Sequence, residues 1–341
     1  MDQFEAHLER GWDLLLKGEL KGARSAARSA LQANKQSPEA IHLLGCVAQR
    51  EGDAEEALEH FQEAIAIDEG FIEAYLDAAE VLVFPMEQFD EAIAMCDQVL
   101  EMADTDDLLI DVILLKFDAY LASGREHEAA KVLQTLPPPP YEHDGQRFLI
   151  ARAMVEMDRP ADALPLLETC ASSKEAHADV FYYLGVTLED LDDRTGASIA
   201  FLTCRELDMQ HPRAPWAVER ETFRAMVDRA AHKLTPTLQI ELQKMLLLVS
   251  DVPGIEVVAD GIDPRTCAIL DGTQPSGHGT TIAERIFLYQ HNIERSVAGI
   301  EGLEDEIAEI LEEELTKMIS PPGSTESDRC GPSPTRAIRP V

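Results

Sequence analysis

An alanine recurs at a nearly fixed interval through the first 210 residues: Ala23, Ala57, Ala92, Ala129, Ala163 and Ala197, in steps of 34, 35, 37, 34 and 34 residues. No other feature limits the fold so strongly, because a period of this length defines one supersecondary unit repeated along the chain. The clearest unit is "PEAIHLLGCVAQREGDAEEALEHFQEAIAIDEG", residues 38–70. Ile41, Leu44, Gly45, Ala48, Ala57, Phe61 and Ala64 are small or apolar at helical spacing, and Gly52 interrupts the pattern midway. The unit is therefore a helix, a turn and a second helix. One helical pair cannot bury its own apolar face, but stacked neighbours bury a continuous one. The Leu58, Phe61 and Ile65 stripe is expected in that core.

A second copy, "DVFYYLGVTLEDLDDRTGASIAFLTCRELD", puts Phe181, Leu184, Gly185, Leu188, Ala197, Phe201 and Cys204 in the same places. Six units at this period, with Leu44-Gly45 and Leu184-Gly185, resemble tetratricopeptide repeats. The third and fourth units depart from the pattern. "FPMEQFD" around Pro85 adds a residue, and "LPPPPYEH" at 136–143 forms a proline-rich joint where the array is expected to bend or loosen. The resemblance implies a mainly α fold, an α-solenoid over residues 1–210, with a concave groove lined by first helices. It puts Leu8, Trp12 and Leu15 on that groove in the first unit, although a terminal unit can instead serve as a cap. It puts His42, Cys46 and Gln49 there in the second unit and Tyr182, Val186 and Glu189 in the sixth. Members that grip acidic chaperone tails carry lysines and asparagines at these places, and this chain does not. The implied partner is a protein or an extended peptide with basic and apolar side chains, unless the array is only a rigid spacer.

The charge points the same way. Sixty-four acidic against 29 basic residues give a net charge of −35. Such a surface repels nucleic-acid phosphates and anionic membranes, so neither is an expected partner. No apolar run approaches the roughly 20 residues that span a bilayer. The opening "MDQFEAHLERGWDLLL" lacks the basic start of a signal peptide. The six cysteines form no CxxC pair, and four fall on apolar helical positions. Reduced thiols in a cytoplasmic protein are expected.

After Asp208 the period stops. "MQHPRAPWAVER" has the look of a linker, and "ETFRAMVDRAAHKLTPTLQIELQKM" that of two helices divided at Thr235-Pro236, with the threonine as N-cap. "MLLLVSDVPG", "TCAILDG" at 266–272 and "RIFLYQ" at 285–290 are expected strands, with the Gly/Ser/Thr-rich loop "TQPSGHGTTIAE" between the last two. "EDEIAEILEEELTKMI" is expected to form an amphipathic helix opened by Glu304, Asp305 and Glu306, with Ile307, Ile310, Leu311, Leu315 and Met318 on one face. Residues 211–320 are thus a small α+β domain, and the proline- and serine-rich 321–341 a disordered tail.

Within 218–320, "FRAMVDRAAHKLTP", "LLLVSDVPG", "AILDG" and "RIFLYQHNIER" followed by the last helix resemble small bacterial zincin-like, or minimal metallopeptidase-like, domains. In active relatives the last helix carries His-Glu-x-x-His, whose i and i+4 imidazoles share a helical face and bind zinc while the glutamate activates water. Here Glu313 and Lys317 occupy the ligand positions and Glu314 that of the general base; a register shifted by one puts Glu312 and Thr316 at the ligand positions. A lysine ammonium has no lone pair for a metal at neutral pH. No histidine follows His291. The chain also lacks a Walker loop, a GxSxG elbow and a dinucleotide fingerprint. His127-Glu128 lies within a repeat, with Lys131 where a second histidine would stand. The expectation is a non-catalytic interaction scaffold with a degenerate metallopeptidase-like domain and no metal or cofactor. Two alternatives remain. One is a zinc-dependent peptidase that recruits Glu313 with His278 or His291. The other is a small binding domain that uses the loop at 273–284 and a cleft beside Tyr289.

Overall fold

The computed structural model describes residues 3–275 and 281–319. The expected tail and His278 lie outside them. The chain divides into two compact units, with the division after Ala153.

The first unit comprises α1 (Gln3–Leu16), α2 (Leu20–Ala33), α3 (Pro38–Glu51), α4 (Ala54–Ile67), α5 (Ile72–Val83), α6 (Phe89–Met102), α7 (Asp106–Ala122), α8 (Glu126–Leu133) and most of α9 (Asp144–Glu156). Sequence-local chemistry sets these boundaries. The Ser37 hydroxyl accepts from the Ala40 N–H and Pro38 occupies the first helical position, so α3 begins there. Asp53 caps α4 and Thr105 caps α7 in the same way. From α1 to α8 each helix packs against the next, and Ala23, Ala57, Ala92 and Ala129 are fully buried. Gly45 is a contact requirement. A Cβ on it would stand 2.6 Å from Phe61 Cδ1, 3.1 Å from Cζ and closer still to Cε1. In the second unit, Gly185 lies against Phe201 in the same way. The internal Leu-Gly of each copy is thus the seat of a phenylalanine ring from the following helix.

A second register accompanies the alanines. Each helical pair turns on a residue of positive φ: Gly18 (74°), Gly52 (85°), Glu87 (54°), Gly124 (73°), Asp158 (56°) and Asp192 (61°). Each stands five residues before its alanine, so the left-handed turn and the close helix contact share one period. Polar pairs at about the same spacing tie one helical pair to the next. Arg24 reaches Glu56 and Glu51, Arg125 reaches Asp90, Gln146 reaches Asp111, and Arg152 donates to both carboxylate oxygens of Asp118. The proline-rich segment limits α8 to eight residues, because proline has no N–H for the helical ladder.

The second unit comprises α10 (Pro160–Ala171), α11 (Ala178–Asp190), α12 (Arg194–Gln210), α13 (Arg220–Lys233), α14 (Pro236–Leu242), β1 (Leu246–Ser250), α15 (Ile255–Ala259), β2 (Ala268–Asp271), β3 (Gln274–Pro275), β4 (Thr281–Ile282), β5 (Arg285–Tyr289), α16 (Gln290–Ser296) and α17 (Ile300–Ile319). β5 is central in the order β1-β5-β2. It pairs parallel with β1, Leu248 opposite Phe287, and antiparallel with β2, Ile269 opposite Phe287. Phe223, Val227 and Ala230 of α13 and Leu303, Ile307, Leu311 and Leu315 of α17 form one core with Ile286, Leu288 and Ile293.

Four details differ from the sequence reading. First, α15, α16 and the β3–β4 pair were not expected; runs this short show no measurable period. Second, the split at Thr235-Pro236 is present, but the Thr235 side chain makes no capping bond. Third, α17 begins at Ile300, so Glu304 and Asp305 do not open it. Glu304 instead pairs with Arg229 and Lys233, and Asp305 with Lys233, all across to α13. Fourth, the segment at 211–219 is tied down. Arg213 donates to both oxygens of buried Glu294, the Val218 N–H donates to the same carboxylate, and Gln290 donates to the Val218 carbonyl.

Candidate functional site

On α3, residues four apart stack on one face, which aligns His42 with Cys46. The imidazole lies among three aromatic rings: Trp12 of α1 at 5.6 Å between centroids, Phe61 of α4 at 5.4 Å, and Phe71 just before α5 at 5.0 Å. Its Nε2 lies 2.6 Å from Asp77 Oδ2 on α5. Cys46 Sγ lies 3.6 Å from the same nitrogen and donates to the same carboxylate oxygen at 3.5 Å. Burial, reinforced by the Asp77 charge, pushes the Cys46 thiol far above its ordinary range. Burial also lifts Glu80, with Asp77 adding to it. The structure thus gathers Trp12, His42 and Cys46. Gln49, one turn further along α3, is half-buried, and Leu8 packs against the cluster of Leu15, Leu43 and Leu44.

Sequence reasoning missed Asp77. The available signal was the repeat itself, since Asp77 stands 35 residues after His42 and so at the corresponding place in the next first helix.

In the second unit, Tyr182 is covered by its own chain. Its hydroxyl donates to Asp263 at 3.0 Å, and the Arg265 guanidinium lies 4.8 Å from the ring centroid. Arg265 also donates to Asp179 at 2.6 Å and to Asp208 at 2.8 and 3.0 Å. Burial and then the Asp263 charge hold the Tyr182 hydroxyl well above its ordinary range. Val186 is half-buried. Glu189 is exposed, and its carboxyl is raised by desolvation and then by Asp190 and Asp263. Ser198 donates to the Ala259 carbonyl and Arg205 to that of Pro253, so α12 meets the α15 segment along its length.

On α17, Glu313, Glu314 and Lys317, which the sequence reading set at ligand and base positions, form a surface ion cluster. Lys317 Nζ lies 2.8 Å from Glu313 Oε1 and 3.1 Å from Glu314 Oε1. The single ammonium offsets one of the two negative charges beside it. His291 is half-buried, and its N–H donates to the Asp251 carbonyl. Among the described residues, one group of three His, Cys, Asp or Glu side chains has all its ligating atoms within 4.8 Å of one another, and it is His42, Cys46 and Asp77.

The paired helices and the shared period are those of a helical-repeat fold of the tetratricopeptide type. The tetratricopeptide repeat family matches residues 48–108. Among curated proteins, cellulose synthase 1 operon protein C of Komagataeibacter xylinus is similar: 40% identical over 60 residues, covering 18% of this chain and 4% of that protein. Two solved structures share the fold. PilF of Pseudomonas aeruginosa aligns with a TM-score of 0.52 at 16% identity, over 61% of this chain and 93% of that one. PilW, described as a type IV pilus biogenesis factor, aligns with a TM-score of 0.52 at 14% identity, over 61% and 94%. No helix of the described residues is long and apolar enough to cross a membrane.

Proposed function

We propose that the chain is a non-catalytic interaction scaffold in which the first helices of the first unit present a peptide-binding groove and residues 211–320 form a degenerate zincin-like domain. The groove uses Leu8, Trp12, His42, Cys46 and Gln49, and its ligand is an extended segment carrying basic and apolar side chains. The supporting observation is that the Trp12 indole packs against the His42 imidazole, whose Nε2 meets the half-buried Asp77 carboxylate. An aromatic ring offers apolar area at low entropic cost, and the carboxylate offers an anion that a lysine or arginine satisfies. Glu80, also on α5, is destabilised as an anion by burial, and a basic ligand relieves that strain. The net charge of −35 steers such a ligand inward. In the last helix, the Lys317 bridge to Glu313 and Glu314 supports a domain kept for binding rather than hydrolysis.

The test uses the full chain with Trp216→Phe, so that Trp12 is the one indole left to report. A peptide alternating Arg or Lys with Leu or Phe should change the Trp12 emission, bind more weakly as salt rises, and lose about tenfold or more in affinity to a Gln49→Lys, Glu80→Lys variant. Equal binding of a charge-inverted peptide, or no loss in the variant, would refute the reading.

A further inference from the structure

Three ligating atoms from two adjacent helical pairs meet at one point on the first-helix face, and that geometry differs from a catalytic relay. In a relay the carboxylate and the thiol use opposite imidazole nitrogens. Here Cys46 Sγ and Asp77 Oδ2 both approach Nε2 of His42, at 3.6 and 2.6 Å, and each other at 3.5 Å. An arrangement around a common vertex suits a shared cation.

We propose that His42, Cys46 and Asp77 form a zinc site that fastens the second helical pair to the third. Zinc takes sulfur at about 2.3 Å and nitrogen or oxygen at about 2.0–2.2 Å, in a tetrahedron. Those bond lengths require sulfur to lie about 3.5 Å from the nitrogen and from the oxygen, and the nitrogen about 3.3 Å from the oxygen. Both sulfur edges already have these lengths. Only the imidazole–carboxylate edge has to open, by about 0.7 Å from its 2.6 Å.

The donor set selects the metal. Magnesium and calcium require oxygen ligands, whereas a thiolate, an imidazole and a carboxylate together suit zinc. Charge selects it as well. A Cys46 thiolate and an Asp77 carboxylate neutralise a divalent ion, which makes a half-buried site affordable. As sulfur bonds the metal its proton leaves to solvent, because a coordinating thiol is deprotonated outright. Three rings confine the imidazole, so the nitrogen is aimed before the metal arrives. The fourth position stays open for water or for a donor from a bound segment. The zinc site does not rest on the peptide reading, but both use the Asp77 carboxylate, so a bound metal leaves Glu80 on the same helix to meet a basic ligand side chain.

Cobalt(II) is the probe, because thiolate ligation gives a charge-transfer absorption and tetrahedral geometry gives intense visible bands. Untagged full-length Trp216→Phe protein, stripped with a chelator, should bind one cobalt per chain, show both features, and quench Trp12 emission. One equivalent of zinc should abolish all three. Cys46→Ser should lose the charge-transfer band. Asp77→Asn and His42→Gln should weaken binding, with helicity checked by circular dichroism. Cys267→Ser and Cys330→Ser should change nothing. If Cys46→Ser does not fold, the Asp77→Asn titration and the quenching of Trp12 decide. Absence of 1:1 binding, a charge-transfer band that survives Cys46→Ser, or cobalt affinity unchanged by both Asp77→Asn and His42→Gln would overturn the proposal and leave an ordinary His–Asp hydrogen bond.

Discussion

Gly45 and Gly52 are seven residues apart, yet the structure gives them different reasons to be glycine, and that difference can be measured. A methyl on Gly45 enters the Phe61 ring, with Cδ1 at 2.6 Å and Cζ at 3.1 Å. Ordinary carbon contacts need roughly 3.5–4.0 Å, so the ring or α3 must move by about 1 Å. Overpacking of this kind costs about 1–3 kcal/mol, and the better helix propensity of alanine returns about 1 kcal/mol. Gly45→Ala should therefore destabilise by up to about 2 kcal/mol. Gly52 has open space around its missing Cβ but a φ of 85°. Gly52→Ala should cost about 1 kcal/mol through the backbone alone. Phe61→Leu separates the two. It replaces the ring that the added methyl meets with a shorter side chain, so Gly45→Ala should become nearly neutral in that background, a coupling of about 1–2 kcal/mol. Gly52→Ala should cost the same in either background. Amide hydrogen exchange of α3 and α4 reads these differences locally, without assuming that the whole chain unfolds in one step. If Phe61→Leu rescues both substitutions or neither, the contact argument for the Leu-Gly motif is wrong.

Two further outcomes follow from the same structure. Glu87 holds a left-handed turn at φ 54° without being glycine, so Glu87→Gly should stabilise the α5–α6 pair by about 0.5–1 kcal/mol, read by the same exchange experiment. Asp208 feels burial raising its carboxyl, but the Arg265 and Arg295 guanidinium groups overcome this and hold it below its ordinary 3.8. A carboxylate depressed by folding stabilises above the unfolded value and loses that contribution as pH falls through the folded one. Stability of the α10–α17 unit should therefore drop below about pH 3.8, and Asp208→Asn should lower it by about 2 kcal/mol at pH 7 while reducing the acid-dependent loss. Urea melts of both proteins at pH 7 and pH 3 check this, and an unchanged pH 7 midpoint in Asp208→Asn would contradict it.

The repeat was legible in the sequence because its determinants are local and periodic. Ala23, Ala57, Ala92 and Ala129 mark close contacts that tolerate only a methyl, and Gly45 with Phe61 recurs as Gly185 with Phe201. The turn register was half legible. Gly18, Gly52 and Gly124 announce positive φ, while Glu87, Asp158 and Asp192 adopt it under the constraint of the helices they join. His42 and Cys46 were found as neighbours on a helical face. Their convergence on Asp77 was not, because it needs the side-to-side packing of two repeats as well as the period. The cover on Tyr182 left no sequence signal, since Asp263 and Arg265 come from a loop 81 and 83 residues downstream. The short elements α15, α16 and β3–β4 are set by packing and pairing, which leave no period in segments of two to seven residues.

Arg265 adds a matter of timing. It bonds Asp208 and Asp179, which precede it by 57 and 86 residues. At about 5–20 residues per second, synthesis separates Asp208 from its guanidinium partner by roughly 3–11 s. Over that interval α11 and α12 have left the ribosome, but Tyr182 and the two carboxylates still face water. The last helical pair therefore completes its burial only when the loop beyond α15 arrives. A stop or cleavage before residue 265 would leave a chain with every repeat present and one face still open.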